Sequence, residues 1–138
     1  MDQSFEITIG SDITEIPEVL ALLEAAMHAQ GFRTEDILDT QLAVEEVITN
    51  TIIHGYKKAG GKITISCQIN PSNLEVRITD SAPRFDPLSI QNPKLDGAVE
   101  ERKIGGLGVY LVRQVMDKVF YQYENGENIL VLIKQRTG

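Results

Sequence analysis

Residues 45–56, which read EEVITNTIIHGY, decide the fold of this 138-residue chain and indicate its chemistry. The stretch and the residues just before it predict a helix with apolar side chains around most of its circumference. Leu42 and Ile53 are two of these apolar residues. Glu46 and Asn50 are four residues apart, so they share one helix face beside these apolar side chains. Burying a carboxylate there costs several kcal/mol unless a partner accompanies it.

Two interpretations of this pair remain open. In the first, a divalent cation beside the Asn50 oxygen pairs with the Glu46 charge, or an attacking hydroxyl group uses Glu46 as a base. In the second, Glu46 is solvated and Asn50 only packs between helices. Glu45 lies about 100° away around the helix axis and is expected to be an ordinary surface charge.

The rest of the chain predicts three helices and five strands in the order β-α-α-β-β-loop-α-β-β. The expected strands are 5–9, 63–69, 74–78, 119–123 and 129–133, and the expected helices are 12–30, 34–54 and 105–116. Hairpin turns join most of the strands. We therefore expect an α+β fold, a two-layer α/β sandwich whose helices cover one face of a mixed, mostly antiparallel sheet.

The composition and net charge of the chain argue against several classes of function. Apolar residues make up 42% and charged residues 24%, which is typical of one globular domain, here residues 1–138. The net charge of -7 argues against direct nucleic acid binding and against binding to an anionic membrane surface. No apolar run is long enough to span a bilayer. The single cysteine, Cys67, alternates with isoleucines as a core residue would, and it favours a cytoplasmic protein.

Asp80 ends an alternating strand, where a carboxylate can accept a hydrogen bond from an exocyclic amine of a ligand. A turn-initiating Asp is the alternative. After Asp80 the sequence shows no strand-like or helix-like spacing of apolar residues for roughly two dozen residues. A stretch of this length is typical of a functional loop or lid.

Gly105, Gly106, Leu107 and Gly108 end that loop and open the last helix. Glycines let the backbone approach a ligand closely, and the N–H groups of a helix N-terminus suit a phosphate. A flexible loop followed by a helix start is the alternative. The segment is neither a P-loop nor a dinucleotide fingerprint, because the required residues do not follow it.

In this order the three elements resemble the Bergerat-fold ATPases, which include histidine kinases and gyrase. Residues 45–50 and 52–56 are very similar to the N box of the bacterial anti-sigma-factor serine kinases of the sporulation and general-stress type. Residues 106–112, with Met116 and Asp117 beyond them, resemble the last glycine box of that family. The resemblance implies the Bergerat ATP-binding fold with an ATP lid.

The resemblance also implies roles for individual residues. Asn50 matches the Mg²⁺ ligand, and Glu46 matches the general base that takes the proton from the substrate serine. Thr49 matches a residue near the γ-phosphate, and Asp80 matches the carboxylate that reads the adenine amino group. The loop 105–108 matches the backbone that cradles the phosphates.

The chain departs from the family pattern at two positions. Ala82 stands where the first glycine box usually has glycine, and Ile104 stands where sporulation-type members have an arginine that contacts the γ-phosphate. Arg102 is the predicted replacement, ahead of Lys103, because its planar fork can hold two phosphate oxygens at once. The alternative is that both are surface charges that balance nearby glutamates.

The function that the resemblance implies is an ATP-dependent protein-serine kinase that acts as an anti-sigma factor. It would phosphorylate an anti-anti-sigma factor with Mg²⁺ and ATP, release ADP, and sequester a sigma factor. The resemblance further implies a homodimer formed through the sheet side near the N-terminus. One alternative is a nucleotide-binding module that switches partners without phosphorylating them. Another is the ATPase part of a histidine kinase, which the short chain disfavours.

Overall fold

The computed structural model of the chain describes residues 2–57, 59–84 and 107–137, with the side chains of 107–110 outside that description. Five strands in these ranges form one sheet: β1 Gln3–Gly10, β2 Lys62–Ile69, β3 Asn73–Asp80, β4 Lys118–Glu124 and β5 Glu127–Gln135. Their order is β1-β2-β3-β5-β4, and every neighbouring pair is antiparallel. The α+β prediction is confirmed, and the described sheet is antiparallel throughout.

Three α-helices cover the sheet within the described residues: α1 Ile16–Ala29, α2 Thr34–Asn50 and α3 Leu107–Val115. A short 3-10 turn, Ile13–Glu15, precedes α1, and a π-helical turn, Thr51–Tyr56, follows α2. Helix α2 packs against both α1 and α3. None of the described helices is long and apolar enough to cross a membrane.

The core lies between these two layers because the strands alternate in polarity. In β2 and β3 every second side chain is buried, and these inward residues are mostly Ile, Leu and Val. Helices α1 and α2 complete the core with Val19, Leu23, Met27, Val44 and Ile48. The prediction that Cys67 belongs to the core is confirmed, and burial raises the pKa of its thiol to about 12.

Hairpins join β2 to β3 and β4 to β5, in agreement with the predicted hairpin connections. The Asn70 side chain accepts hydrogen bonds from the backbone N–H groups of Ser72, at 2.7 Å, and Asn73, at 2.9 Å, which closes the turn between β2 and β3. Asn125 and Gly126 join β4 to β5 with φ values of 55° and 80°, as a two-residue hairpin turn requires.

The predicted helix from Thr34 to His54 is continuous, but it changes from an α-helix to a π-helical turn after Asn50. The N–H of Lys57 donates to the carbonyl of Ile52 at 3.0 Å, a spacing of five residues that widens the last turn. The apolar side chains around this helix do not all face the core, because Leu42 is 37% exposed and Ile53 is 52% exposed. Apolar side chains are common on protein surfaces, so an apolar sequence pattern alone does not establish burial.

The C-terminal end of β5 fixes two helices to the sheet. The buried ammonium group of Lys134 lies 3.3 Å from the Asp39 carboxylate on α2 and donates to the carbonyl of Val115, at the end of α3, at 2.6 Å. The buried carboxylate of Asp36 accepts hydrogen bonds from the backbone N–H and the hydroxyl group of Thr137. These contacts hold α2 and α3 where their side chains can form one wall of a cavity.

Candidate functional site

A cavity lies between the end of α2, the helix α3 and the inner face of the sheet. The space within it that a water-sized molecule can occupy is about 70 Å³, and the cavity is open to solvent. Val47, Ile78, Val112 and Leu130 are among its apolar lining residues. Its polar lining residues include Asn50, Thr51, Asp80, Arg113 and Asn128. A largely apolar cleft with a few convergent polar groups is typical of a small-molecule site.

Asp80 is buried at the end of β3, and one of its carboxylate oxygens is fully engaged. Oδ1 accepts hydrogen bonds from the backbone N–H of Ala82 at 3.0 Å and from the side-chain amide of Asn128 at 2.9 Å. Oδ2 lies 3.5 Å from the hydroxyl group of Thr51, which also donates to the carbonyl of Val47 at 3.0 Å. A hydroxyl group has one proton to give, so the shorter bond leaves Oδ2 with capacity for a ligand donor.

Asn128 is a site residue that sequence reasoning missed. It lies on β5 directly opposite Asp80 and is buried. Its amide nitrogen donates to Asp80 and approaches the carbonyls of Ala82 at 3.1 Å and Pro83 at 3.3 Å. Its amide oxygen accepts a 2.6 Å hydrogen bond from the hydroxyl group of Tyr121. The sequence did contain one signal: Asn128 is a polar residue that alternates along β5 with the inward-facing Leu130 and Leu132.

Tyr56 was also missed. Its hydroxyl group donates to the carbonyl of Lys62 at 2.6 Å and accepts from the N–H of Ser81 at 2.7 Å. The ring lies so close to Gly61 that a Cβ there would clash with it. Tyr56 therefore joins the π-helical turn to the start of β2 and to the segment after Asp80.

The predicted α2 residues occupy different surroundings. Asn50 lines the cavity together with Asp80, so the structure brings these two predicted residues to one site. Thr49 and Glu46 are partly buried but do not line the cavity, and Glu46 is one helix turn before Asn50. Glu45 is exposed, as expected. Leu42 and Ile53, the apolar neighbours expected on the Glu46 face of the helix, have exposed side chains.

The glycine segment is described only in part. The described part of α3 runs from Leu107 to Val115 and includes Gly108, so the predicted third helix is confirmed over these residues. Gly105, Gly106 and Arg102 lie outside the described residues, as does most of the predicted lid. Their phosphate-binding roles stay predictions.

The departure at Ala82 has a structural counterpart at Gly55. Ala82 is buried, and a Cβ built on Gly55 would lie 3.1 Å from the Cβ of Ala82. This distance is shorter than ordinary contact between two carbon atoms. The methyl group of Ala82 therefore occupies space that exists because residue 55 has no side chain.

Comparisons with known proteins agree with this geometry. The family model for the histidine kinase-like ATPase domain matches residues 9–134. The serine-protein kinase RsbW of Listeria innocua serovar 6a is 33% identical over 124 residues, which cover 83% of this chain and 79% of that protein. The serine-protein kinase RsbW of Bacillus cereus strain G9842 is 26% identical over 133 residues, which cover 94% and 83% respectively.

Two solved structures share the fold. The structure of the RsbU and RsbW domains of a Mycobacterium tuberculosis protein matches with a TM-score of 0.69 at 17% identity, over 99% of this chain and 33% of that chain. The SiaB–SiaC complex from Pseudomonas aeruginosa matches with a TM-score of 0.59 at 18% identity, over 96% of this chain and 89% of that chain.

The chain therefore belongs to the histidine kinase-like ATPase family, which confirms the resemblance found in its sequence. Within that family, its relatives from Listeria and Bacillus carry the name serine-protein kinase RsbW.

The contact between residues 55 and 82 generates a prediction. Crowding against Ala82 should cost Gly55→Ala about 1–3 kcal/mol of the free energy of unfolding, and the higher helix propensity of alanine should offset up to about 1 kcal/mol of this cost. In an Ala82→Gly background the same change should cost less, because the opposing methyl group is gone. Urea denaturation of the four proteins measures both costs, and equal costs in the two backgrounds would contradict the contact.

Proposed function

We propose that this chain is a cytoplasmic protein-serine kinase that transfers the γ-phosphate of ATP to a partner protein. The observation that carries the proposal is the cavity in which the fixed carboxylate of Asp80 faces the same space as Asn50. The name of the relatives, serine-protein kinase, supports the reaction type. From the sequence resemblance, the partner is an anti-anti-sigma factor, and the chain also binds a sigma factor.

In the proposed complex the adenine base occupies the apolar part of the cavity. Oδ2 of Asp80 accepts a hydrogen bond from the 6-amino group, since Oδ1 is already engaged by Ala82 and Asn128. Ile78 and Leu130, which line this part of the cavity, exclude water from the base. The phosphates extend from there toward Asn50 and the first turn of α3.

Asn50 is the proposed protein ligand for Mg²⁺. No group of three or more His, Cys, Asp or Glu side chains able to hold a metal occurs among the described residues. A single amide oxygen fits Mg²⁺ nonetheless, because this ion usually keeps several waters and takes its other ligands from the phosphates. When bound, the ion neutralises charge on the phosphate oxygens.

Glu46 is the proposed base. The substrate serine oxygen attacks the γ-phosphorus atom, the bond to the ADP oxygen breaks, and the serine proton passes to the Glu46 carboxylate. Its partly exposed position, one turn before Asn50, leaves it accessible to a protein substrate. Arg102 is proposed to supply the positive charge at the γ-phosphate that Ile104 cannot.

A nucleotide-dependent binding module that transfers no phosphate is the second candidate. One observation favours it: Glu46 does not line the cavity that contains Asn50 and Asp80. A module of this kind needs the nucleotide to change its shape but needs no base.

The adenine-binding role of Asp80 is tested with Asp80→Asn. The substitution removes a charged acceptor and should weaken ATP binding by about 1.5–3 kcal/mol. Isothermal titration with ATP and Mg²⁺ measures the affinity. Thr79→Ser is the control, because it changes the neighbouring residue on the outer face of β3. Unchanged ATP affinity in Asp80→Asn would exclude Asp80 from the site.

The two candidate functions are separated by Glu46→Gln. If Glu46 is the base, the variant should bind ATP normally but transfer phosphate roughly 10²–10⁴-fold more slowly. The assay follows labelled phosphate from ATP to the anti-anti-sigma partner, with Glu45→Gln as the matched control. A near wild-type rate of transfer in Glu46→Gln would exclude Glu46 as the general base. If the wild-type protein transfers no phosphate, the result would favour the binding module.

We further propose that the working form is a homodimer. The strand β1 is at an edge of the sheet, on the N-terminal side that the family resemblance implicates, and twofold dimers are the commonest soluble oligomers. Light scattering should give a mass near twice the 15.3 kDa of one chain. A mass near that of one chain at high protein concentration would contradict the dimer.

A further inference from the structure

We infer that Asn128 is a positioning residue that makes the site selective for a 6-aminopurine nucleotide over a 6-oxopurine nucleotide. It acts through Asp80, whose carboxylate it holds in one orientation from the facing strand. This inference rests on the proposed function, because it assumes that Asp80 binds the base.

The orientation of the Asn128 amide is determined by its partners. Ala82 and Pro83 present carbonyl oxygens to it, at 3.1 and 3.3 Å, and a carbonyl oxygen can only accept hydrogen bonds. The amide nitrogen must therefore face them, and it also reaches Oδ1 of Asp80 at 2.9 Å. On the other side, the hydroxyl group of Tyr121 donates to the amide oxygen at 2.6 Å.

The position of Asn128 in the sheet makes this arrangement specific. The register pairs Asp80 of β3 with Asn128 of β5, and both side chains point to the buried side of the sheet. The next inward residues of β5, Leu130 and Leu132, are apolar. A leucine at position 128 would continue that pattern, yet it would leave three buried or partly buried acceptors without this donor.

The fixed orientation of the Asp80 carboxylate determines which purine base it can bind. Asp80 cannot rotate without losing the hydrogen bonds from Ala82 and Asn128 to Oδ1, so Oδ2 stays the acceptor offered to the cavity. A 6-amino group gives Oδ2 the donor that it can still accept. A 6-oxo group places an acceptor against an acceptor, which leaves both groups desolvated and unpaired.

Tyr121 contributes indirectly. Its hydroxyl group donates to the amide oxygen of Asn128, and Tyr121 is itself one of the residues that line the cavity. Tyr121→Phe keeps the ring and removes the hydroxyl group, so the restraint on Asn128 weakens without a new cavity in the core. This variant tests the same network even if a substitution at position 128 disturbs folding.

The experiment compares ATP with inosine triphosphate, which carries a 6-oxo group, by isothermal titration in the presence of Mg²⁺. Asn128→Leu should bind ATP about tenfold more weakly, as expected for a lost hydrogen bond to a charged group. Its affinity for inosine triphosphate should change less than about twofold, because that base makes no such bond to Asp80. Tyr121→Phe should shift the ratio of affinities in the same direction by a smaller factor.

Tyr123→Phe is the matched control for Tyr121→Phe. Tyr123 lies two residues further along β4, and its ring contacts the Arg84 guanidinium with 5.3 Å from Cζ to the ring centroid. Phenylalanine keeps the ring face for that contact, so the ratio of affinities should stay at the wild-type value. Thermal melting of each variant records any loss of stability separately.

A merely structural Asn128 would give a different result. Asn128→Leu would then lower the melting temperature and weaken both nucleotides by the same factor, and Tyr121→Phe would leave the ratio unchanged, which would overturn the inference. If Asn128→Leu does not melt cooperatively, the ratio of the ATP and inosine triphosphate affinities in Tyr121→Phe decides whether Asn128 has the inferred role.

If Asp80→Asn abolishes the preference for ATP but these variants do not, the proposed site stands and the role of Asn128 fails. If Asp80→Asn leaves ATP binding unchanged, both proposals fail.

Discussion

The hydrogen bonds to the carboxylate of Asp80 are the constraint on which the site depends. A buried carboxylate costs several kcal/mol unless donors compensate for the lost water. The backbone N–H of Ala82 and the side chain of Asn128 supply those donors. One comes from the turn that follows β3 and the other from the facing strand, so the orientation of this one side chain depends on both. A one-residue slip of β5 against β3 would move Asn128 to the opposite face of the sheet.

The π-helical turn after α2 forms the second wall of the site. Thr51 and Gly55 belong to this turn, and both line the cavity. Tyr56 then holds the end of this turn, because its hydroxyl group bonds both the start of β2 and the segment after Asp80. Such π-helical insertions occur frequently at functional sites.

Lys134, near the end of β5, sets the position of α3. Its ammonium group donates to the carbonyl of Val115, which has no hydrogen-bond partner within its own helix. The nearby Asp39 carboxylate offsets part of the free-energy cost of burying the Lys134 charge. A cation at a helix C-terminus is also favoured by the helix dipole. The helix whose first turn is predicted to face the phosphates is thus fixed from its opposite end, by a residue of the same strand that contains Asn128.

The sequence by itself determined the family, the strand pairs joined by hairpins and the pairing of Asn50 with Asp80 in one site. Those features depend on local periodicity, on turn residues such as Asn70 and Gly126, and on the N-box stretch. The tertiary structure alone decided the end of α2 at Asn50, the exposure of Leu42 and Ile53, and the network of Tyr121, Asn128 and Asp80. Asp80 and Asn128 are 48 residues apart in the chain and meet only through strand register. Local sequence patterns carry no information about such a contact, because its partners are chosen by how the strands pair across the sheet.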